Sequence, residues 1–153
     1  MKFSTRQDIA APIDYVFGRT ADFEAIERQA MRRGIAVDRA DNLDCTGLGM
    51  RWDVVFPYRG KSRNIKGELT EYDMPNSYLI QSVSGGVEAD FDVEFLPLSR
   101  CRTRVIVGLQ LSPKTLSARL LLQSLKLAKN SLDERFAKRI AQFASEVQNR
   151  YGA

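Results

Sequence analysis

The most restrictive feature of this sequence is a run of alternating apolar and charged residues from Met50 to about Val107, divided by short turn sequences. A period of two is typical of β-strands that bury one face and expose the other. Arg59-Gly60 and Gly85-Gly86 can each form a two-residue hairpin turn, because glycine adopts a positive φ at little cost. We therefore predict a twisted antiparallel sheet that is solvated on one side.

The first hairpin can be tested by pairing residues across the Arg59-Gly60 turn. Trp52 then faces Gly67 on an apolar face, and Asp53 faces Lys66 on a charged face. The same register pairs Met50 with Leu69, Val54 with Ile65, Phe56 with Arg63, and Arg51 with Glu68. Opposite charges directly across from each other stabilise a sheet, and a shift of one residue would destroy both patterns.

Two further hairpins follow the same rule. The Gly85-Gly86 turn is predicted to pair Tyr78 with Val93, Ile80 with Phe91 and Ser82 with Ala89. A three-residue loop, Leu98–Arg100, is predicted to pair Phe95 with Thr103, Val93 with Val105 and Phe91 with Val107. All three hairpins then share one apolar face, which must be covered.

The segments on either side of the hairpins predict two further strands and three helices. We expect a strand over Lys2–Ala10, short helices over Pro12–Arg19 and Phe23–Arg33, and a short strand over Ile35–Ala40. From Lys114 to Tyr151 there is no Pro or Gly, and apolar residues recur every three or four positions. One helix of about 35 residues would span roughly 50 Å and cross the whole sheet.

This order predicts a single α+β domain over residues 1–153. It consists of a seven-stranded antiparallel curved sheet wrapped around a long C-terminal helix, with two short helices between strands 1 and 2. It resembles the helix-grip fold of the START-like or SRPBCC superfamily, in particular its polyketide cyclase/dehydrase-like branch. The matching residues are DIAAPIDYVF (Asp8–Phe17), similar to I-x-AP-x-x-V-[FW], FLPLSRCRTRV (Phe95–Val105), similar to f-x-P-x-x-x-x-T-x-V, and the closing helix.

The resemblance covers nearly the whole chain and implies an apolar cavity between sheet and helix that holds a hydrophobic ligand. The candidate ligand-binding residues are Trp52, Val54, Phe56, Arg63, Ile65, Leu69, Tyr78, Ile80, Phe91 and Val93 from the sheet, with Leu121, Leu125, Leu132 and Phe136 from the helix. Arg63 near the hairpin end is a candidate anchor for a carboxylate or phosphate. Gly67 opposite Trp52 favours empty volume, but a solid core with Trp52 folded over Gly67 is the alternative.

The complete absence of histidine excludes several function classes. No Ser-His or Cys-His nucleophile pair and no imidazole metal ligand can form. The acidic run from Glu88 to Glu94 lies beside Arg102 and Arg104, which neutralise it, and no phosphate-binding glycine motif is present. We therefore expect no metal, no cofactor and no catalytic residue that can be assigned from sequence.

The net charge of +4 is located in the C-terminal segment, where residues 113–153 carry eight basic and three acidic side chains. The basic residues scatter on both flanks of the apolar stripe, so we expect no nucleic-acid binding. Leu120 and Leu127 lie off that stripe, which leaves an anionic membrane surface or an acidic partner as an alternative. Cys45 and Cys101 are isolated, and polar residues near the N-terminus do not suit a signal peptide, so we predict a cytoplasmic protein.

Three functions remain. We favour binding or transport of a small hydrophobic or amphipathic, lipid- or polyketide-like ligand in the cavity, without catalysis. One alternative is a polyketide cyclase or aromatase that uses Arg63 with Tyr58, Tyr72 or Tyr78, which can orient a carbonyl. The other is an interaction module that uses the basic C-terminal helix. The pattern of residues does not distinguish oligomeric states.

Overall fold

The computed structural model describes residues 1–152, and Ala153, the last residue of the predicted domain, lies outside them. The described chain forms seven strands and four helices. In chain order these are β1 (Lys2–Ile9), α1 (Ile13–Thr20), α2 (Phe23–Arg32), β2 (Ala36–Arg39), β3 (Arg51–Tyr58), β4 (Lys61–Asp73), β5 (Ser77–Ser84), β6 (Val87–Ser99), β7 (Arg102–Pro113), α3 (Leu116–Lys126) and α4 (Lys129–Tyr151).

All strands belong to one antiparallel sheet with the order β1-β7-β6-β5-β4-β3-β2. Hairpins connect β3 through β7, whereas β1 joins the edge of β7 from the far end of the sequence. The predicted α+β class, the seven antiparallel strands and the two short helices after the first strand are confirmed. Among residues 1–152, no helix combines the length and the apolar content needed to cross a membrane.

The registers of the first two hairpins are confirmed. Trp52 pairs with Gly67 and Tyr78 pairs with Val93, as the alternation predicts. Both residues of each turn have positive φ, with Arg59 at 51° and Gly60 at 74° in the first turn. That backbone matches the twist of the strands it connects.

The predicted register of the third hairpin is wrong by two residues. Phe95 faces Val105 instead of Thr103, and Val93 faces Val107 instead of Val105. The strands continue to Ser99 and Arg102 through an irregularity after Pro97, so the loop predicted at Leu98–Arg100 is replaced by a tighter turn. Because the shift is an even number, every side chain stays on its predicted face.

The two short helices begin where the sequence predicts. Asp22 caps α2, since its side chain accepts a hydrogen bond of 3.2 Å from the backbone N–H of Ala25. Phe23, the first residue of α2, is buried against the sheet. Arg39 on β2 lies 3.8 Å from Glu27 on α2, which links this helix to the edge of the sheet.

The C-terminal helix is long, as predicted, but it is not one helix. It breaks at Leu127 and Ala128, where N–H groups bond three residues back instead of four (Leu127 N to Ser124 O at 3.3 Å, Ala128 N to Leu125 O at 3.0 Å). Lys129 lies at the start of α4. Its Nζ donates to both oxygens of Asp133, one turn later in the same helix (2.9 and 2.8 Å), and lies 4.6 Å from the centre of the Phe3 ring on β1. The sequence has no Pro or Gly at the break and gave no sign of it.

The inner face of the sheet carries two kinds of interior. Around α1 the interior is filled, with the Phe17 ring 5.0 Å from Phe95 and 5.6 Å from Tyr72. Met50 and Leu69 are fully buried in this core. Beneath α2 and the second half of α4 the interior is open, and that space is the candidate site.

Candidate functional site

A cavity of about 480 Å³ lies between the inner face of the sheet and the helices α2 and α4. Ligand pockets in proteins span about 300–1,000 Å³, so this one can hold a small organic molecule. The interior beneath these helices is therefore not the solid core that the sequence left as an alternative.

The sheet forms one wall of the cavity, which is almost entirely apolar. Six of the seven strands contribute to it. Its residues are Gln7 and Ile9 (β1), Val37 (β2), Trp52 and Val54 (β3), Tyr78 and Ile80 (β5), Phe91 and Val93 (β6), and Val105 and Val107 (β7).

The helices form the opposite wall, which carries more polar groups. Its residues are Thr20 (α1), Phe23, Ile26, Glu27, Gln29 and Ala30 (α2), Ile35 before β2, and Ile140, Phe143 and Ala144 (α4). Ile26 and Gln29 line the cavity and are also exposed to solvent. The cavity therefore opens along the outer side of α2.

An aromatic contact sets the position of α2 over the sheet. The ring of Phe23 lies 5.4 Å from Trp52 and 5.3 Å from Tyr78, and both pairs pack edge to face. Such pairs add roughly 0.5–1.5 kcal/mol to the free energy of apolar burial. Phe23 therefore holds the helix wall at a defined distance from β3 and β5.

The tyrosine in the cavity is occupied by a contact within the protein. The Tyr78 hydroxyl is buried and donates a hydrogen bond of 3.3 Å to the backbone carbonyl of Thr20. Burial raises the pKa of Tyr78 far above its usual value, so this hydroxyl stays protonated. It serves to join α1 to β5.

Thr20 also presents a polar atom that the described chain does not satisfy. The residue is 7% exposed, and its Oγ1 has no hydrogen-bond partner among the described residues. Leaving a buried hydroxyl without a partner costs about 1–3 kcal/mol. Thr20 lines the cavity, but its Oγ1 is enclosed by protein atoms.

Glu27 carries the one formal charge among the cavity-lining residues of the described chain. Its side chain is 12% exposed. Desolvation raises the pKa of this carboxyl above its ordinary 4.5, although Arg39 opposes that rise. The guanidinium of Arg39 is directed to Asp41 by two hydrogen bonds of 3.0 and 2.7 Å, and therefore leaves Glu27 weakly paired.

Six of the fourteen predicted ligand-binding residues line the cavity: Trp52, Val54, Tyr78, Ile80, Phe91 and Val93. All six belong to the two hairpins whose registers are confirmed. Their role in binding a ligand stays a prediction.

Four predicted residues of the β3–β4 hairpin lie outside the cavity. Leu69 is buried in the solid part of the core. Phe56 and Ile65 are partly buried, and Arg63 is exposed close to the turn. Position along the strand separates these residues from the cavity, since all four are on the predicted face.

The four residues predicted from the C-terminal helix also lie outside the cavity. Leu121 is exposed, Leu125 and Leu132 are partly buried, and Phe136 stacks on Phe3 with ring centres 6.0 Å apart. The apolar stripe faces the sheet as predicted, but the segment that reaches the cavity is further along the chain. It is the part of α4 that contains Ile140, Phe143 and Ala144.

The residues of the helix wall were not predicted from the sequence. The spacing of Phe23, Ile26 and Ala30 by three and four residues is the signal that could have indicated an inward face of α2. Glu27 lies on the same face by this spacing, four residues after Phe23, but its charge predicts a solvated side chain. Its burial depends on the position of α2 over β2 and β3.

The groups required by the cyclase alternative are not brought together. Tyr78 lines the cavity, whereas Tyr58 and Arg63 are exposed near the tip of the β3–β4 hairpin. Tyr72 stacks on Phe17, and burial raises its pKa. Within residues 1–152 no three His, Cys, Asp or Glu side chains are grouped as metal ligands would be.

A second surface, outside the cavity, is formed by the outward-facing leucines of α3 and the break. Leu116, Leu120 and Leu127 are 73%, 59% and 92% exposed. On the helix they lie on one side, and Arg119 and Lys126 lie beside them. We refer to these five residues as the α3 outer face.

Comparison with known proteins shows similarity at the level of the fold. No protein-family model matches the chain, and no curated protein sequence matches it significantly. Solved structures do match. Truncated norcoclaurine synthase from Thalictrum flavum superposes with a TM-score of 0.69 at 13% identity, covering 96% of this chain and 92% of that one.

Two bacterial structures extend this likeness. The ZhuI aromatase/cyclase from Streptomyces sp. R1128 matches with a TM-score of 0.67 at 13% identity, covering 99% of this chain and 95% of that one. A START superfamily protein from Mycobacterium smegmatis matches with a TM-score of 0.56 at 15% identity, covering 92% and 99%. The predicted START-like, helix-grip fold is thus confirmed, and at these identities the likeness concerns the fold alone.

Proposed function

We propose that this protein binds and carries a small hydrophobic or amphipathic molecule in the cavity between its sheet and its helices. The observation that carries the proposal is the cavity itself, about 480 Å³ in volume with an almost wholly apolar sheet wall. Each Å² of apolar ligand surface removed from water there contributes about 25 cal/mol. A ligand that fills most of the cavity therefore gains binding energy without any specific chemistry.

Several features support binding over turnover. The chain has no histidine, and the one tyrosine hydroxyl of the cavity already bonds the carbonyl of Thr20. The solved structures with this fold include proteins named as an aromatase/cyclase and as a START superfamily protein, so the fold is used with and without a named reaction. A binding role requires only the volume and the apolar surface.

The direct test is titration with a neutral apolar fluorophore, 1-N-phenylnaphthylamine. Trp52 is the only tryptophan of the chain and lines the cavity, so its emission reports occupancy independently of the fluorophore. We expect saturable binding that changes both signals together. Absence of saturable binding, with the fold intact by circular dichroism, would contradict the proposal.

A pair of substitutions on α4 localises the binding. Ala144→Phe places a ring in the cavity, where Ala144 forms part of the wall, and is expected to weaken fluorophore binding at least tenfold, about 1.4 kcal/mol. Ser145→Phe adds the same ring to an exposed neighbour and is expected to leave binding unchanged. Equal effects of the two substitutions would place the binding site elsewhere.

The cytoplasmic location predicted from sequence remains part of this proposal. It is supported by Cys45 and Cys101, which are both exposed and unbridged, as is usual where thiols are kept reduced.

The α3 outer face favours a second candidate function, the docking of the protein on an anionic membrane surface. Three exposed leucines can enter the interface, and Arg119 and Lys126 beside them complement anionic headgroups. Each Lys or Arg near such a surface contributes about 1 kcal/mol. Lys129 does not belong to this set, since Asp133 and the Phe3 ring hold it.

Vesicle sedimentation tests the docking. Binding to vesicles with phosphatidylglycerol is expected to fall as salt rises, and to fall about tenfold or more in Arg119→Glu with Lys126→Glu. Lys138→Glu with Arg139→Glu makes the same charge change on an exposed part of α4 and serves as the control. If the control weakens binding equally, only the net charge matters and the α3 outer face is not the docking site.

A further inference from the structure

The chemistry of the helix wall restricts the kind of ligand that the cavity can accept, an inference that rests on the proposed binding function. We infer that the cavity selects amphiphiles with a cationic, hydrogen-bond-donating headgroup, such as a protonated amine, over anionic amphiphiles with the same apolar tail. Glu27 is the headgroup's partner in this assignment.

A ligand inside the cavity meets a negatively charged side chain and no positively charged one among the described residues. The lining residues of the described chain include one carboxylate, Glu27, and no Lys or Arg. Arg63, which the sequence predicted as an anchor for an anion, is exposed near the β3–β4 turn. An anionic headgroup in the cavity would therefore be desolvated without a cationic partner, which is strongly unfavourable.

Glu27 is only partly paired within the protein. Its nearest cation is Arg39 at 3.8 Å, a longer separation than the 2.7 Å between Arg39 and Asp41. Glu24 on the same helix and Asp41 beyond it add further negative charge around Glu27. Trp52 also lies close enough to act as a hydrogen-bond donor to Glu27. Because a carboxylate has about four acceptor positions, Glu27 retains capacity for a further donor. A charge-assisted hydrogen bond from an ammonium group would use that capacity.

The polar groups of the cavity wall other than Glu27 do not select a sign of charge. The amides of Gln7 and Gln29 both donate and accept hydrogen bonds, and so does the hydroxyl of Thr20. Oγ1 of Thr20 is also enclosed by protein atoms. The selection by charge therefore depends on Glu27.

Thr20 and Glu27 lie on the same wall of the cavity. Thr20 precedes α2 and Glu27 follows one turn after Phe23, whose ring packs between Trp52 and Tyr78. Both polar groups are therefore on the helix wall, opposite the apolar sheet wall. A ligand that places its tail against β5 and β6 directs its headgroup to the helices.

The experiment compares three probes with one tail: decylamine, 1-decanol and decanoate, each titrated at pH 7 with Trp52 emission as the signal. We expect decylamine to bind about tenfold or more tightly than decanol, and decanoate to bind most weakly. Glu27→Gln is expected to reduce decylamine to the affinity of decanol and to leave decanol itself unchanged.

Glu24→Gln is the matched control, because it removes the same charge from an exposed position on the same helix. It is expected to change decylamine binding less than threefold. Equal affinities of the three probes for the unmodified protein, or tightest binding of decanoate, would overturn the inference and leave the binding function standing. The comparison of the three probes uses the unmodified protein, so it does not depend on whether a variant folds. Failure of all three probes and of 1-N-phenylnaphthylamine would instead count against the binding function.

Discussion

The two walls of the cavity differ in what they contribute. The sheet wall consists of apolar side chains held at alternate positions of hydrogen-bonded strands, with Gln7 and the engaged Tyr78 hydroxyl as its polar groups. The helix wall contains the Glu27 carboxylate and the Thr20 hydroxyl, which has no partner among the described residues. Most of the apolar surface thus comes from the sheet, whereas the charged group that we propose to select ligands comes from the helices.

Burial varies within the helix wall. Val93 and Val107 of the sheet wall and Phe23 of the helix wall are buried in the core, whereas Ile26 of the helix wall is exposed at the opening. Substitutions at the buried positions should therefore affect stability first, and those at the opening should affect ligand choice first. Four measurements test this division, and the expected effects decrease from the first to the fourth.

The largest effect is expected for Trp52→Ala. The indole is buried, packs on Phe23 and borders the cavity, so its removal leaves a void and should cost about 3–5 kcal/mol of unfolding free energy. Ile26→Ala at the opening should cost less, about 1 kcal/mol, since Ile26 is already 41% exposed before the change. Urea unfolding followed by circular dichroism measures both. Similar losses for the two variants would show that the walls share the folding energy.

The second largest effect is expected for a pair of substitutions in the C-terminal segment, one buried on α4 and one exposed at the break. Val147→Ala on α4 removes a buried side chain and should cost about 2 kcal/mol. Leu127→Ala removes more apolar carbon at the break, yet it should change stability by less than about 0.5 kcal/mol because Leu127 is exposed. The same urea titration applies. A large loss for Leu127→Ala would indicate that a contact covers this leucine in solution.

Two substitutions at the junction of the walls are expected to have opposite signs. Tyr78→Phe removes the hydrogen bond to the Thr20 carbonyl and should destabilise the protein by about 1 kcal/mol. Thr20→Val replaces the partnerless hydroxyl with a methyl group and should stabilise it by up to about 1 kcal/mol. Thermal unfolding without ligand gives both signs. Destabilisation by Thr20→Val would show that the hydroxyl already has a partner, such as bound water.

The smallest effect is the pH dependence of two carboxyls with opposite shifts. Desolvation raises the pKa of Glu27, so the folded chain holds a proton that the unfolded chain has released, and stability falls as pH rises above 4.5. Hydrogen bonds, above all from Arg39, lower the pKa of Asp41, so its contribution is present above 3.8 and is lost as pH falls below that value.

Variants separate these two dependences. Glu27→Gln should remove the loss of stability above pH 4.5 and leave the acid side unchanged. Asp41→Asn should lower stability at neutral pH and flatten the dependence below pH 3.8. Urea midpoints measured across this pH range distinguish them. If Glu27→Gln leaves the pH profile as it is, the carboxyl is more hydrated than its position in the wall implies.

Much of the sheet wall could be predicted because its geometry has an integer period. Two residues of turn determine the register of a hairpin, and the register determines which side chains share a face. The correct pairing of Trp52 with Gly67 and of Tyr78 with Val93 follows from this alone. The third hairpin shows the limit, since an irregularity after Pro97 moved its register by two residues without changing the faces.

The helix wall could not be predicted in the same way. The apolar stripe of the C-terminal segment is real, but the pattern does not say which stretch of it lies over which part of the sheet. Ile140 and Phe143 of α4 line the cavity, whereas Leu121 and Leu125, which precede the break at Leu127, do not. Periodicity identifies a buried face, and packing decides what covers it.

The α+β class, the strand faces and the absence of histidine chemistry follow from residue types and local repeats, so they could be predicted before the fold was known. The cavity, its helix wall of α2 and the second half of α4, and the position of Glu27 in that wall are visible only in the folded protein. Empty volume and buried charge result from how separately formed elements meet. That meeting depends on contacts between residues far apart in the chain, which no local pattern records.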